Sequence, residues 1–161
     1  MSLEVTLAGL IAFSFTTLVL LLYSVLDIRT RRISNEIMAL GITVALVIGV
    51  LTNHLLEMPF LHLGGFIVSV ILGYSLFRLK SIGGADAKAL ILIAISSPGV
   101  EFTSFESIVF ESILGSLFPV LIMLLFGYLA YRWKPADEHK KTPLMPFLLC
   151  GYLILQVLAF V

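Results

Sequence analysis

The spacing of its charges constrains this chain more than any other feature. Uncharged intervals run over 5–26, 37–56, 58–77, 89–100, 112–131 and 142–161, and five of the six hold 20 residues or more. A hydrocarbon core about 30 Å thick needs roughly 20 apolar residues per helix and tolerates almost no charge, so these intervals read as membrane helices. The fourth, with 12 residues, spans only if it borrows from 81–88 or 101–111. The sequence therefore predicts an all-α polytopic membrane protein with six transmembrane helices, the fourth short or irregular at one end, forming a single domain over 1–161. Composition agrees, with 60% hydrophobic and 12% charged residues. Ten Lys plus Arg balance ten Asp plus Glu, which removes the charge excess a nucleic-acid-binding protein uses. The lone cysteine, Cys150, can form neither an internal disulfide nor a zinc knuckle.

Orientation follows from the cations. Arg29, Arg31 and Arg32 lie in the first connection, Arg78, Lys80 and Lys88 in the third, and Arg132, Lys134, Lys140 and Lys141 in the fifth. With six spans, all ten fall on one side. The amino terminus and the other two connections carry Glu4, Glu57, Glu101, Glu106 and Glu111 and no cation. The positive-inside rule then makes the basic connections cytoplasmic and leaves both chain ends outside the cell membrane. The first apolar run has no basic residue before it and three arginines soon after, the pattern of a retained anchor entering amino terminus outside. Small residues recur at four-residue spacing in Gly41, Ala45, Gly49 and in Gly65, Ser69, Gly73, stripes that suit close helix contacts in lipid.

In so apolar a chain the acidic exceptions are informative. Asp27 ends the first apolar run in LLYSVLDIRTRRISN, and Asp86 follows a glycine pair in SIGGADAKAL at the entrance to the short fourth helix. The predicted topology puts both at similar depth on the cytoplasmic side. An ionisable group at a membrane helix end is a functional candidate. The plainer alternatives are that Asp27 pairs with a nearby arginine and that Asp86 caps its helix.

Taken together the residues resemble the type IV prepilin and preflagellin peptidases, membrane aspartic proteases with a Gly-x-Gly-Asp-type motif. The match rests on Asp27 followed by Asn35 in DIRTRRISN, on Gly83, Gly84, Ala85, Asp86 and Lys88 in GGADAK, and on Pro143, Pro146 and Gly151 in TPLMPFLLCG. The last segment is similar to a Pro-Phe-x-Pro-Phe stretch that opens the final helix in that family. Bacterial members usually carry proline where this chain has Ser34 and glycine where it has Ala85. They also bear a cytoplasmic insertion with zinc-binding cysteine pairs that accompanies amino-terminal methylation. The first cytoplasmic connection here is too short for one, so the resemblance implies a peptidase without methyltransferase activity.

The resemblance implies Asp27 and Asp86 as the catalytic pair, with no metal or organic cofactor. Gly83, Gly84, Ala85, Asn35, Pro143 and Pro146 are the implied substrate contacts. The implied partners are precursor proteins with a basic leader and a hydrophobic segment. Gly83 and Gly84 can adopt positive φ and leave no side chain in the way, so a substrate strand or a water is expected to approach Asp86 there. Arg29, Arg31 and Arg32 are expected to meet anionic lipid headgroups. Glu36, Asp137 and Glu138 are weaker candidates for receiving the leader. Lys88, two positions past Asp86, is expected to turn away from it by about 200° and to snorkel to the surface. His54 and His62, with only Glu57 nearby, do not make a convincing metal site. The competing function is a small proton- or cation-coupled transporter using intramembrane carboxylates, although a transporter is expected to carry internal repeats and acids near the bilayer midplane.

Overall fold

The computed structural model describes residues 2–3, 6–101, 103–104, 107–133 and 142–158. Within them the chain folds as helices α1 (Leu7–Thr30), α2 (Asn35–Leu51), the single turn α3 (His54–Glu57), α4 (Pro59–Arg78), α5 (Gly84–Ser96), α6 (Ile108–Trp133) and α7 (Met145–Leu158). Two-residue strands β1 (Ser2–Leu3) and β2 (Thr103–Ser104) pair antiparallel, Ser2 opposite Ser104. Glu4, Glu106, Lys134, Asp137, Glu138, Lys140 and Lys141 lie outside the described residues.

Local chemistry sets the helix ends. The Thr6 hydroxyl accepts the Gly9 N–H at 3.0 Å and starts α1. The Ser34 hydroxyl accepts the Ile37 N–H at 3.3 Å and starts α2, each satisfying one of the donors a helix start leaves over. Pro59 opens α4, where its missing N–H removes nothing the helix needs. Arg31, past the end of α1, and Lys80, past the end of α4, turn the chain out of its helix with φ of 56° and 57°.

Helices α1, α4 and α6, of 24, 20 and 26 residues, are long and apolar enough to cross a membrane, and α2 and α7 are shorter apolar helices. Large apolar side chains stand exposed along them, among them Leu18, Leu21, Val47, Ile67, Ile71 and Leu125. A surface so apolar is suited to lipid. Helix α5 differs. Its 13 residues extend only about 20 Å, yet Ala89, Leu90, Leu92, Ile93 and Ala94 are at most 3% exposed. The chain wraps this helix with α4 and α2, and with α1 and α6 more lightly.

Past α5 the backbone is irregular and buried, so its polar groups need partners from elsewhere. The Val100 N–H donates to Glu111 Oε1 at 3.2 Å. The Gln156 side chain accepts the Glu101 N–H and donates to the Gly99 carbonyl, both at 3.0 Å. The Tyr152 hydroxyl donates to Ser97 Oγ at 2.9 Å. Small residues let the segment in. A Cβ on Gly65 of α4 would stand 2.9 Å from the Pro98 side chain, and one on Gly115 of α6 would overlap the Pro98 carbonyl oxygen. Beside it the α4 stripe meets α6, where Ser69 donates to Ser116 and Ser116 to the Gly65 carbonyl, each at 3.2 Å. Gly73 packs on Ala87 of α5. In the other stripe, Gly41 faces the Tyr23 hydroxyl of α1 and Gly49 faces Leu55.

The same end of the bundle holds a feature that sequence spacing did not reveal. Glu57 was the expected acid near the two histidines, but the connection after α5 brings in Glu101. His54 Nε2 lies 3.3 Å from Glu101 Oε2, with both side chains buried. The His62 ring stands edge-on to His54 with centroids 5.1 Å apart.

Two predictions follow from this packing. Gly115→Ala has backbone in its way and should lower stability by about 1–3 kcal/mol, whereas Gly49→Ala, with Leu55 Cβ at 3.4 Å, should be near neutral; denaturant unfolding in detergent distinguishes them. The Glu101 carboxylate holds His54 above the usual histidine range, against the opposing effect of burial and with help from Glu57. The charged pair therefore stabilises the fold fully below about pH 6.5, the unfolded value, and this contribution fades as pH rises through the higher folded value. Thermal midpoints should fall over that alkaline window, and Glu101→Gln should flatten the dependence.

Candidate active site

The end of α1, the starts of α2, α5 and α7, and the connection after α4 come together at the end of the bundle opposite Glu101. Asp27 lies in the last turn of α1, which closes as the Arg31 N–H bonds back to the Asp27 carbonyl at 3.1 Å. Its side chain is half-buried, and Oδ2 accepts the N–H of Met145, the first residue of α7, at 3.2 Å. Met145 and Leu148 are anchored in the core at 1% and 0% exposure. The amide that holds Asp27 is therefore itself firmly placed.

Asp86 is in the first turn of α5 and is 7% exposed. Its Oδ2 accepts the Gly83 N–H at 2.8 Å, the reach-back half of a capping box. The capping expected as the plainer reading is thus present. It does not exclude chemistry, because one carboxylate oxygen remains for other work. After burial and the Gly83 bond, the charge of Asp27 is the lesser influence on Asp86.

The other candidates fall into place around this pair, with two corrections. Gly83 does not use positive φ; it is extended, with φ −81° and ψ 164°, and no described glycine has positive φ. What Gly83 supplies is room, since a Cβ there would stand 3.1 Å from Asp86 Oδ2. Gly84 is exposed and Ala85 half-buried, so the first turn of α5 is open on one side. Pro143 precedes α7 and Pro146 lies in its first turn, flanking the Met145 amide that holds Asp27. The second correction concerns Lys88. Its ammonium does not simply snorkel; it donates to Asn35 Oδ1 at the start of α2.

The sequence reading missed the Met145 amide, the Ser34 cap and the Lys88–Asn35 bond. The cap had a signal, a serine immediately before an apolar helical run. The other two join distant segments and had none. Among the described residues no group of three or more His, Cys, Asp or Glu side chains is arranged to hold a metal ion. One buried and one half-buried carboxylate thus stand at the same end of the bundle, each accepting a backbone N–H.

The model of the type IV leader peptidase family matches residues 14–131. The chain belongs to that family. It is also similar to a preflagellin peptidase of Methanococcus voltae, 36% identical over 106 residues, which is 62% of this chain but only 43% of that relative. No solved structure matches the chain. Asp27, Asn35 and Asp86 lie inside the family match, and Pro143, Met145 and Pro146 lie beyond it.

The geometry predicts that Gly83→Ala crowds the Asp86 carboxylate while its extended backbone tolerates the change. Any activity that works through Asp86 should fall by roughly tenfold, as small displacements of reacting groups do, with the unfolding midpoint unchanged. Parallel activity and thermal-unfolding measurements on the variant check both halves.

Proposed function

We propose that this chain is a membrane-embedded aspartic endopeptidase that removes the leader of type IV pilin-like or archaellin-like precursors at the cytoplasmic face of the cell membrane. The observation that carries the proposal is the meeting of Asp27 and Asp86 at one end of the bundle, each oriented by a helix-start amide. Family membership supports the same reading.

The reaction follows from the two carboxylates. One, ionised, takes a proton from water as the resulting hydroxide adds to the scissile carbonyl. The other gives its proton to the carbonyl oxygen. Collapse of the tetrahedral intermediate re-forms the carbonyl, breaks the C–N bond and returns a proton to the departing amine, with no covalent adduct to the protein. A backbone N–H steadies a carboxylate without adding a countercharge, so the mutual repulsion that lets two acids share one proton is kept. The open turn at Gly83, Gly84 and Ala85 gives the scissile segment an approach to Asp86, and Pro143 and Pro146 border the approach to Asp27.

Six spans formed by α1, α2 and α4 to α7 put the connections bearing Arg29, Arg78 and Arg132 on the same side as the aspartates. That side is cytoplasmic by the positive-inside rule, and both chain ends are outside. The exposed cluster Arg29, Arg31 and Arg32 suits anionic lipid headgroups. Against the transporter alternative stands the layer of Leu20, Leu90, Ile93, Met123 and Leu148, all at most 3% exposed. These apolar side chains surround the middle of the bundle, and no acid other than the two aspartates is described between the helix ends there.

Detergent-solubilised protein incubated with a precursor carrying a basic leader and a hydrophobic segment tests the proposal. Wild type should cleave, and Asp27→Asn and Asp86→Asn should each lose at least about 1,000-fold, beyond the 10²–10⁴-fold typical of one acid–base group at its lower end. Undiminished cleavage by either variant would refute the assignment.

A further inference from the structure

Asp86 is held by Gly83 of its own helix, a bond that fixes its rotamer but not where the start of α5 stands among the other helices. Packing fixes it there only in part. Ile82 is 5% exposed in the main core, and Ala87 lies against Gly73 of α4. Ser81, Gly83 and Gly84, however, are exposed, and Ala85 and Ala87 are half-buried. The segment leading in from α4 passes through an exposed turn with Lys80 at φ 57°. A side-chain bond adds a tie to α2: Lys88 Nζ donates to Asn35 Oδ1 across 53 positions of sequence. Asn35 is the first residue of α2, a helix start already fixed by the Ser34 cap and by Met38 at 1% exposure. A charged donor makes such a bond shorter and stronger than a neutral one.

We propose that Asn35 and Lys88 form a strap that sets the position of the α5 start, and with it Asp86, against α2. They are positioning residues for the proposed peptidase reaction, so the functional half of the inference rests on that reading. Asn35 serves here through its contact with Lys88, and not as a substrate contact. Lys88 is likewise more than a lipid-facing cation. Lys88 lies two positions past Asp86 and Asn35 eight past Asp27, yet a displacement of about 1 Å at a reacting carboxylate can cost about 100-fold in rate.

Two measurements on Asn35→Ala, Lys88→Ala, their double variant and Asn35→Asp test it. Amide hydrogen exchange reads the strap without any substrate. The peptide covering 81–88 should exchange faster in each single variant, no faster still in the double variant, and near the wild-type rate in Asn35→Asp, which keeps an acceptor. Steady-state cleavage of the precursor reads the consequence. The single variants should lose about tenfold to 100-fold in kcat with KM within about twofold, the double variant should be no worse than the poorer single one, and Asn35→Asp should recover most of the loss. Such non-additivity marks residues acting through one interaction.

Unchanged exchange in both single variants, or additive effects in the double variant, would overturn the strap. So would a raised KM with unchanged kcat confined to Asn35→Ala, which is the signature of a substrate contact. Coupled exchange with wild-type kcat in every variant would overturn its positioning role. If wild type cleaves no leader-bearing precursor, the peptidase reading fails, and exchange alone still decides whether the strap exists.

Discussion

An unpaired backbone amide in hydrocarbon costs several kcal/mol, and that cost organises this molecule. Helix α5 is too short to carry its chain across lipid, so the buried residues after it must find partners for their N–H and C=O groups. They find them in Glu111 of α6 and in Gln156 of α7. Those helices come near enough because Gly115 presents no side chain to Pro98. The shortness of α5 is therefore compensated at its far end by a set of side chains committed to its backbone.

The same shortage of amide partners works differently at the aspartate end. There the spare donors are the N–H groups of helix starts, and the acceptors are the two carboxylates. Met145 donates to Asp27 and Gly83 donates to Asp86. Each bond satisfies an amide that a helix start leaves over and orients an acid in the same stroke. An arginine could also have steadied either carboxylate, but it would have brought a full positive charge into a pair whose proposed work depends on sharing a proton. The arrangement uses dipoles where a charge would interfere.

Periodicity and charge spacing made the helices legible. The uncharged intervals located α1, α4 and α6 closely, and the interval too short to span became the buried α5, drawing on 84–88 at its start as its length required. Asp27 and Asp86 were legible because an acid is costly beside lipid and needs a reason to be there. What the sequence could not carry was pairing between segments. Glu101 reaches His54 by way of an irregular turn, Lys88 reaches a residue 53 positions away, and Met145 contributes a backbone group that every residue but proline possesses. Of the two properties expected of the glycine pair, left-handed backbone is absent, while the lack of a side chain leaves room at Gly83 beside Asp86 Oδ2 and at Gly84 beside Phe77.

The two ends of the bundle also differ in how firmly they are built, and the difference has a physical logic. Around Glu101 the polar groups are interlocked and buried, with Gln156 at 1% exposure and Tyr152 at 0%. Around Asp86 the neighbours are glycine, alanine and an exposed turn. Local stability follows buried contact, so the exposed start of α5 opens at less cost than its buried middle. A peptide bond inside a helix is shielded by its own hydrogen bonds, and an enzyme that cuts one must accept an unwound strand beside its acids. In the proposed reaction a rigid far end would keep the carboxylates in register while a lightly packed near end admitted that strand. Tightening the start of α5 with larger apolar residues would gain stability in the one place where the proposed reaction needs slack.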